Sequence, residues 1–202
     1  MTLKPFTLLA LGDSYTIGEN LALYDSFPYQ TIQLLRKAGY PFNAPEIIAK
    51  NGWTTEELRN GIKHTIFQPT YHFVSLLIGV NDQYQGKDLQ KYSTSLEMLI
   101  KQAISFAANK PDSVFVFSIP DWGRTPFAEG KDRLKIRKEI NDFNDLKKNM
   151  AHQYKVNYYA VEDKSDSLLD PAMLADDHLH PSAVVYKKWA LHLATEIEKL
   201  LA

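Results

Sequence analysis

The chain has 202 residues, 23 basic and 24 acidic side chains, a formal net charge of −1, 45% hydrophobic residues and no cysteine. That length suits one α/β domain with a sizeable core, so residues 1–202 are read as a single domain. The composition excludes intrinsic disorder, disulfide scaffolds, thiolate metal sites and a cysteine nucleophile, and without a basic stripe it offers no nucleic-acid footprint.

Taken in chain order, the first apolar run spans Phe6 to Leu11, just after Lys4. It has the look of a signal peptide, but it is very short and passes straight into Gly12-Asp13-Ser14, so it reads as a buried strand. No apolar run approaches the length of a membrane span. A cytoplasmic location is the expectation; a periplasmic or secreted one follows if a signal peptide has been removed. Further short runs rich in Val, Ile, Leu and Phe fall near 46–49, 72–78, 113–119 and 156–161. Continuous apolar runs of this length, bounded by turn residues, suit strands buried on both faces. Helix-like segments lie between and after them, near 27–38, 54–63, 88–109, 131–153 and 182–201. In the fourth, Ile136, Ile140, Phe143 and Met150 share one face, while Lys135, Lys138, Asp142 and Lys148 lie elsewhere. The second opens with Thr54 followed three residues later by Glu57, a capping box. Five βα units in succession predict a three-layer α/β/α fold with a five-stranded parallel sheet in the flavodoxin-like order 2-1-3-4-5. Ligands in such sheets bind beyond the carboxyl ends of the strands, which is where the motifs fall.

After the first strand comes Gly12-Asp13-Ser14-Tyr15. A serine on a tight strand-to-helix turn exposes its hydroxyl beside backbone N–H groups able to face an oxyanion, although Asp13 or Ser14 also suits simple turn capping. After the second comes Asn51-Gly52-Trp53-Thr54, where a glycine lets a backbone N–H approach a substrate or merely makes the turn. After the third comes Gly79-Val80-Asn81-Asp82, whose asparagine amide is a neutral, directional donor or, equally, part of a turn pair. Before the last helix comes Asp176-Asp177-His178-Leu179-His180-Pro181-Ser182. Asp177 is placed to hydrogen-bond Nδ1 of His180 and leave Nε2 free to take a proton from a serine. The same acids and histidines also suit a metal site or a polar loop capped by Ser182. The first three loops follow neighbouring strands. His180 must return from the fifth strand across about 14 Å, which the roughly 60 Å reach of residues 162–179 easily covers.

Gly-Asp-Ser at 12–14, Gly52, Gly-x-Asn-Asp at 79–82 and Asp-x-x-His at 177–180 resemble the four sequence blocks of the SGNH (GDSL-type) hydrolases, in the same order and across most of the chain. The resemblance implies an α/β/α domain that hydrolyses carboxylic esters or thioesters and needs no cofactor and no metal. It implies Ser14 as nucleophile, His180 as base and Asp177 as its orienting partner, with Gly52 N–H, the Asn81 amide and Ser14 N–H as oxyanion hole. The surroundings of Gly52 and Asn81 are similar to bacterial esterases labelled lysophospholipase or arylesterase. Two positions depart from the pattern: Tyr15 stands where the motif has leucine, and His178, read as facing solvent, stands where many members have a small residue, often glycine.

Tyr15, Trp53, Tyr84 and Trp122 are candidates to line the substrate site, with core packing as the alternative for each. Arg124 is a handle for an anionic leaving group or a solvated loop charge. The expected partner is a small-molecule ester of short or medium acyl length; no protein partner follows from the sequence. Within the family, a carbohydrate deacetylase or a thioesterase is the alternative. From other classes, a non-catalytic flavodoxin-like binding module and a metal-dependent hydrolase using Asp176, Asp177, His178 and His180 stay open.

Overall fold

A computed structural model describes residues 4–161 and 170–202. Five strands form one parallel sheet: β1 (Leu8–Asp13), β2 (Glu46–Lys50), β3 (Phe73–Leu77), β4 (Val114–Phe117) and β5 (Asn157–Tyr159), in the order β2-β1-β3-β4-β5. This is the order expected from the sequence. The residues of β1, β3 and β4 are all buried, as continuous apolar runs covered on both faces require, whereas the edge strands β2 and β5 are largely half-buried. Each fully buried leucine, such as Leu9, Leu11 or Leu76, contributes about 1.5–3 kcal/mol through burial.

The helices are α1 (Ser14–Ile17), α2 (Phe27–Lys37), α3 (Thr55–Lys63), α4 (Val80–Tyr84), α5 (Leu89–Phe106), α6 (Arg133–Tyr154) and α7 (Ala183–Leu201). α2 packs on α7, while α5 packs on both α3 and α6, so the long helices divide between two layers. Right-handed crossovers in this strand order demand that division. The capping box of α3 is present, with Thr54 N–H donating to Glu57 at 2.9 Å. Ser182 precedes α7 without a side-chain cap bond among the described residues.

Two differences from the sequence reading bear on the site. The first strand runs to Asp13 instead of ending at Leu11, because Gly12 and Asp13 still pair with β2. The short helix α1 follows directly on the carboxyl end of β1, and α4 begins two residues beyond β3, after Ile78 and Gly79, where turns were expected. Residues 162–169, part of the connection that returns to His180, lie outside the described residues. Among the described residues no helix is long and apolar enough to cross a membrane.

Candidate active site

β1 sets the first group in place. A Cβ on Gly12 would meet Thr16 Oγ1 at 2.0 Å and the Leu77 carbonyl oxygen at 2.3 Å, so glycine is what lets β1 lie this close to β3. Asp13 caps α1, accepting the Tyr15 N–H at 3.0 Å. Ser14 is therefore the first residue of α1, and its N–H belongs to the turn that has no partner within the helix.

The segment 175–181 supplies the second and third groups. Ala175 N–H donates to the His180 carbonyl and His178 N–H to the Ala175 carbonyl, folding the segment into a tight loop. Asp177 Oδ1 accepts the N–H groups of Leu179 and His180, both at 3.0 Å. Its Oδ2 lies 2.5 Å from His180 Nδ1 and accepts from Asn20 Nδ2 at 2.6 Å. A carboxylate only accepts, so Nδ1 carries the hydrogen and Nε2 is left as the acceptor. That nitrogen sits 2.9 Å from Ser14 Oγ. Behind the imidazole, the buried Tyr15 ring lies 4.8 Å away between centroids. Burial pushes the Asp177 carboxyl up, but the hydrogen bonds from the His180 ring and from the His180 and Leu179 N–H groups outweigh it and hold the group below the ordinary carboxylate range.

β2 and β3 carry the remaining pair. Gly52 has φ 81°, a left-handed backbone that favours glycine, and no atom of the described residues lies within 4 Å of where its Cβ would stand. Asn81 Nδ2 donates to the Trp53 carbonyl at 3.0 Å, a bond that takes one of the two amide hydrogens. The buried Asp82 fastens the same two loops a second time, accepting from Thr55 N–H at 2.8 Å and from Thr55 Oγ1 at 2.7 Å.

The four aromatic candidates separate. Tyr15 backs the imidazole, and Trp53 is half-buried with its ring over Gly61 of α3. Trp122 is buried, its indole N–H donating to Gln83 Oε1 at 2.7 Å, and Gln83 in turn donates to Glu139 at 2.8 Å. Tyr84 is 51% exposed and packs edge-on against Trp122; Phe127, which the sequence reading did not single out, is 41% exposed and touches both rings. Phe127 N–H donates to the His178 carbonyl at 3.4 Å, tying this aromatic rim to the loop of His180. His178 itself is exposed with φ 57°. A left-handed backbone here is the physical reason a glycine is at home in this position.

Asn20 and Gln83 also escaped the sequence reading, since each acts through a partner far along the chain, and Asp82, which closes the third motif, had no role assigned from it. Of the four residues of the metal reading, Asp177 and His180 bond to each other, and Asp176 and His178 are exposed. Among the described residues no three His, Asp or Glu side chains gather as a metal would require.

A family model of GDSL-like lipases/acylhydrolases matches residues 10–188. The fold is similar to that of a lipase/acylhydrolase from Enterococcus faecalis, at TM-score 0.72 and 17% identity over 96% of each chain. It is also similar to an acetylxylan esterase from Geobacillus stearothermophilus, at TM-score 0.71 and 18% identity over 98% of this chain and 96% of that one. A psychrotrophic esterase from Pseudoalteromonas sp. aligns at TM-score 0.66 and 18% identity over 96% and 98% respectively. Compared by sequence with curated proteins, the chain finds no match.

Proposed function

The chain belongs to the GDSL-like lipase/acylhydrolase family, and from that premise we propose that it hydrolyses carboxylic esters of short to medium acyl length through an acyl-enzyme on Ser14. The observation that carries this reading is the unbroken chain of contacts from Asp177 through His180 to Ser14 Oγ, at 2.5 and 2.9 Å. His180 Nε2 takes the Ser14 proton as Oγ attacks the acyl carbonyl. The oxyanion is met by Ser14 N–H, Gly52 N–H and the second amide hydrogen of Asn81, while Asp177 stabilises the imidazolium. His180 then returns the proton to the leaving alcohol, and water attacks the acyl-enzyme by the reverse path, regenerating Ser14.

For the substrate side, Tyr84 and Phe127 form the contact surface, backed by Trp122. What supports this is their exposure and the link from Phe127 to the His178 carbonyl. A rim of two half-exposed rings over a fixed indole favours an acyl chain of modest length or an aryl leaving group. It also suits stacking on a sugar, so acetylated sugars belong in the assay.

The test is hydrolysis of p-nitrophenyl esters from acetate to octanoate, with Ser14→Ala under the same conditions. Turnover by the wild type alone supports the reading, and the chain-length optimum sizes the acyl site. Equal turnover by both proteins removes Ser14 as nucleophile and favours the metal-dependent hydrolase, and none by either favours a binding module.

A further inference from the structure

The buried face of α6 carries Ile136, Ile140, Phe143 and Met150 and, in line with them, Lys147, whose side chain is fully buried. A lysine taken out of water is destabilising unless its hydrogens and its charge are both satisfied. Lys147 Nζ donates to the Ile78 carbonyl at 2.7 Å and to the Phe117 carbonyl at 2.9 Å. Ile78 leads into α4, which carries Asn81, and Phe117 ends β4, so one ammonium ties the carboxyl ends of two neighbouring strands. Its charge is matched by Asp13 and then Asp82, both buried.

Each of those carboxylates holds a loop of the site. Asp13 caps the turn that begins with Ser14. Asp82 clamps the start of α3, beside Gly52, to α4, which carries Asn81. The second oxygen of Asp13 is buried with no hydrogen-bond partner among the described residues, so its charge is supported first by the Tyr15 N–H on the other oxygen and then by the field of Lys147.

The geometry points to Lys147 as a positioning residue for ester hydrolysis: through Asp13, Asp82 and the Ile78 and Phe117 carbonyls, its ammonium holds the loops of Ser14, Gly52 and Asn81 in their reacting arrangement. This rests on the ester-hydrolase reading above. Burial pushes Asp13 up to about 7 and draws Lys147 down to about 7, while the attraction between them favours both charges. Around them stand Asp82 from α4 with Lys87 acting on it, the Tyr92 hydroxyl from α5, and, acting with Asp13, the buried Tyr15 of α1 and Tyr186 of α7, which burial keeps neutral. Burial holds Tyr92 far above its usual value, so it stays neutral. Removing the Lys147 ammonium shifts Asp13 further toward its protonated form, and a neutral carboxyl is a weaker acceptor for the Tyr15 N–H.

The experiment compares wild type, Lys147→Met and Asp13→Asn/Lys147→Met on p-nitrophenyl acetate across neutral and alkaline pH, with active sites counted by a fluorophosphonate. Lys147→Met should lose roughly 10- to 100-fold in kcat with KM held within about threefold, the scale set by small misplacements of reacting groups. Its kcat should recover in part as rising pH ionises Asp13 again. The double variant should stay slow without that rise. Wild-type kcat per active site and an unchanged pH profile, even with a lowered Tm, would make Lys147 structural only and overturn the proposal. Should Lys147→Met not fold, Asp13→Asn alone decides: a loss of about tenfold or more supports the charge pair, and wild-type kcat refutes it. If the wild type itself is inactive, the ester-hydrolase reading fails and takes this proposal with it. An active wild type with an indifferent Lys147→Met sinks the positioning role alone.

Discussion

Replacing Asp177 by asparagine changes one atom's chemistry and leaves the loop its shape. Asp177 Oδ1 accepts two backbone N–H groups, so an asparagine must keep its own oxygen there; turned around, its NH₂ would face two donors. The NH₂ then takes the place of Oδ2, 2.5 Å from His180 Nδ1 and 2.6 Å from Asn20 Nδ2. Asn20 can rotate its amide and offer oxygen. His180 can relieve the clash only by accepting at Nδ1, which moves its hydrogen to Nε2. That N–H now points at Ser14 Oγ across 2.9 Å, and the serine has no base. A loss of about 10⁴-fold in kcat is expected, the scale seen when a triad histidine is held in the wrong tautomer. KM should change little, because neither atom touches substrate. The pH dependence of stability supplies an independent readout. The Asp177 carboxyl is held below its unfolded value of 3.8, so its contribution is complete above that pH and fades as the pH falls through the folded value. The Tm difference between wild type and Asp177→Asn should therefore narrow in acid. A folded Asp177→Asn enzyme within tenfold of wild-type kcat would refute the role given to this carboxylate.

Other outcomes follow from single contacts. Asn81→Ala should lower kcat by about 10²–10³-fold on p-nitrophenyl esters with little change in KM if the amide meets the oxyanion. Gly12→Ala forces a methyl against the Leu77 carbonyl at 2.3 Å and should cost about 1–3 kcal/mol in a denaturant melt, with activity reduced because Ser14 lies two residues on. His178→Gly releases a left-handed residue that costs about 1–2 kcal/mol, against roughly 0.5–1 kcal/mol of added backbone entropy. It should be neutral to slightly stabilising by thermal melt, and activity should be retained.

Elements long enough to show a period were legible in the sequence, and the site followed from them. Runs such as 72–78 locate β3 because a strand covered on both faces leaves no polar alternation, and the order of βα units limits the topology. α1 and α4 span four and five residues, too short to display a helical period, and both read as turns. Ser14, Asp177 and His180 stood out because a nucleophile needs a base at a particular place in the fold: Ser14 follows the first strand, and the block of Asp177 and His180 precedes the last helix. Asn20 did not, since it meets Asp177 across 157 residues and nothing local marks it. Gln83 and Glu139, which fix Trp122, were hidden for the same reason. Lys147 did leave a signal: it falls four residues after Phe143 and three before Met150, a cation on the apolar face of α6.

Peptide mapping by mass spectrometry after treatment with a fluorophosphonate measures most directly whether Ser14 is the nucleophile. One adduct per chain is expected, on Ser14, and none in His180→Ala over the same time, because the serine is unreactive without its base. An adduct on another residue, or no adduct in a preparation that hydrolyses esters, would contradict that role for Ser14.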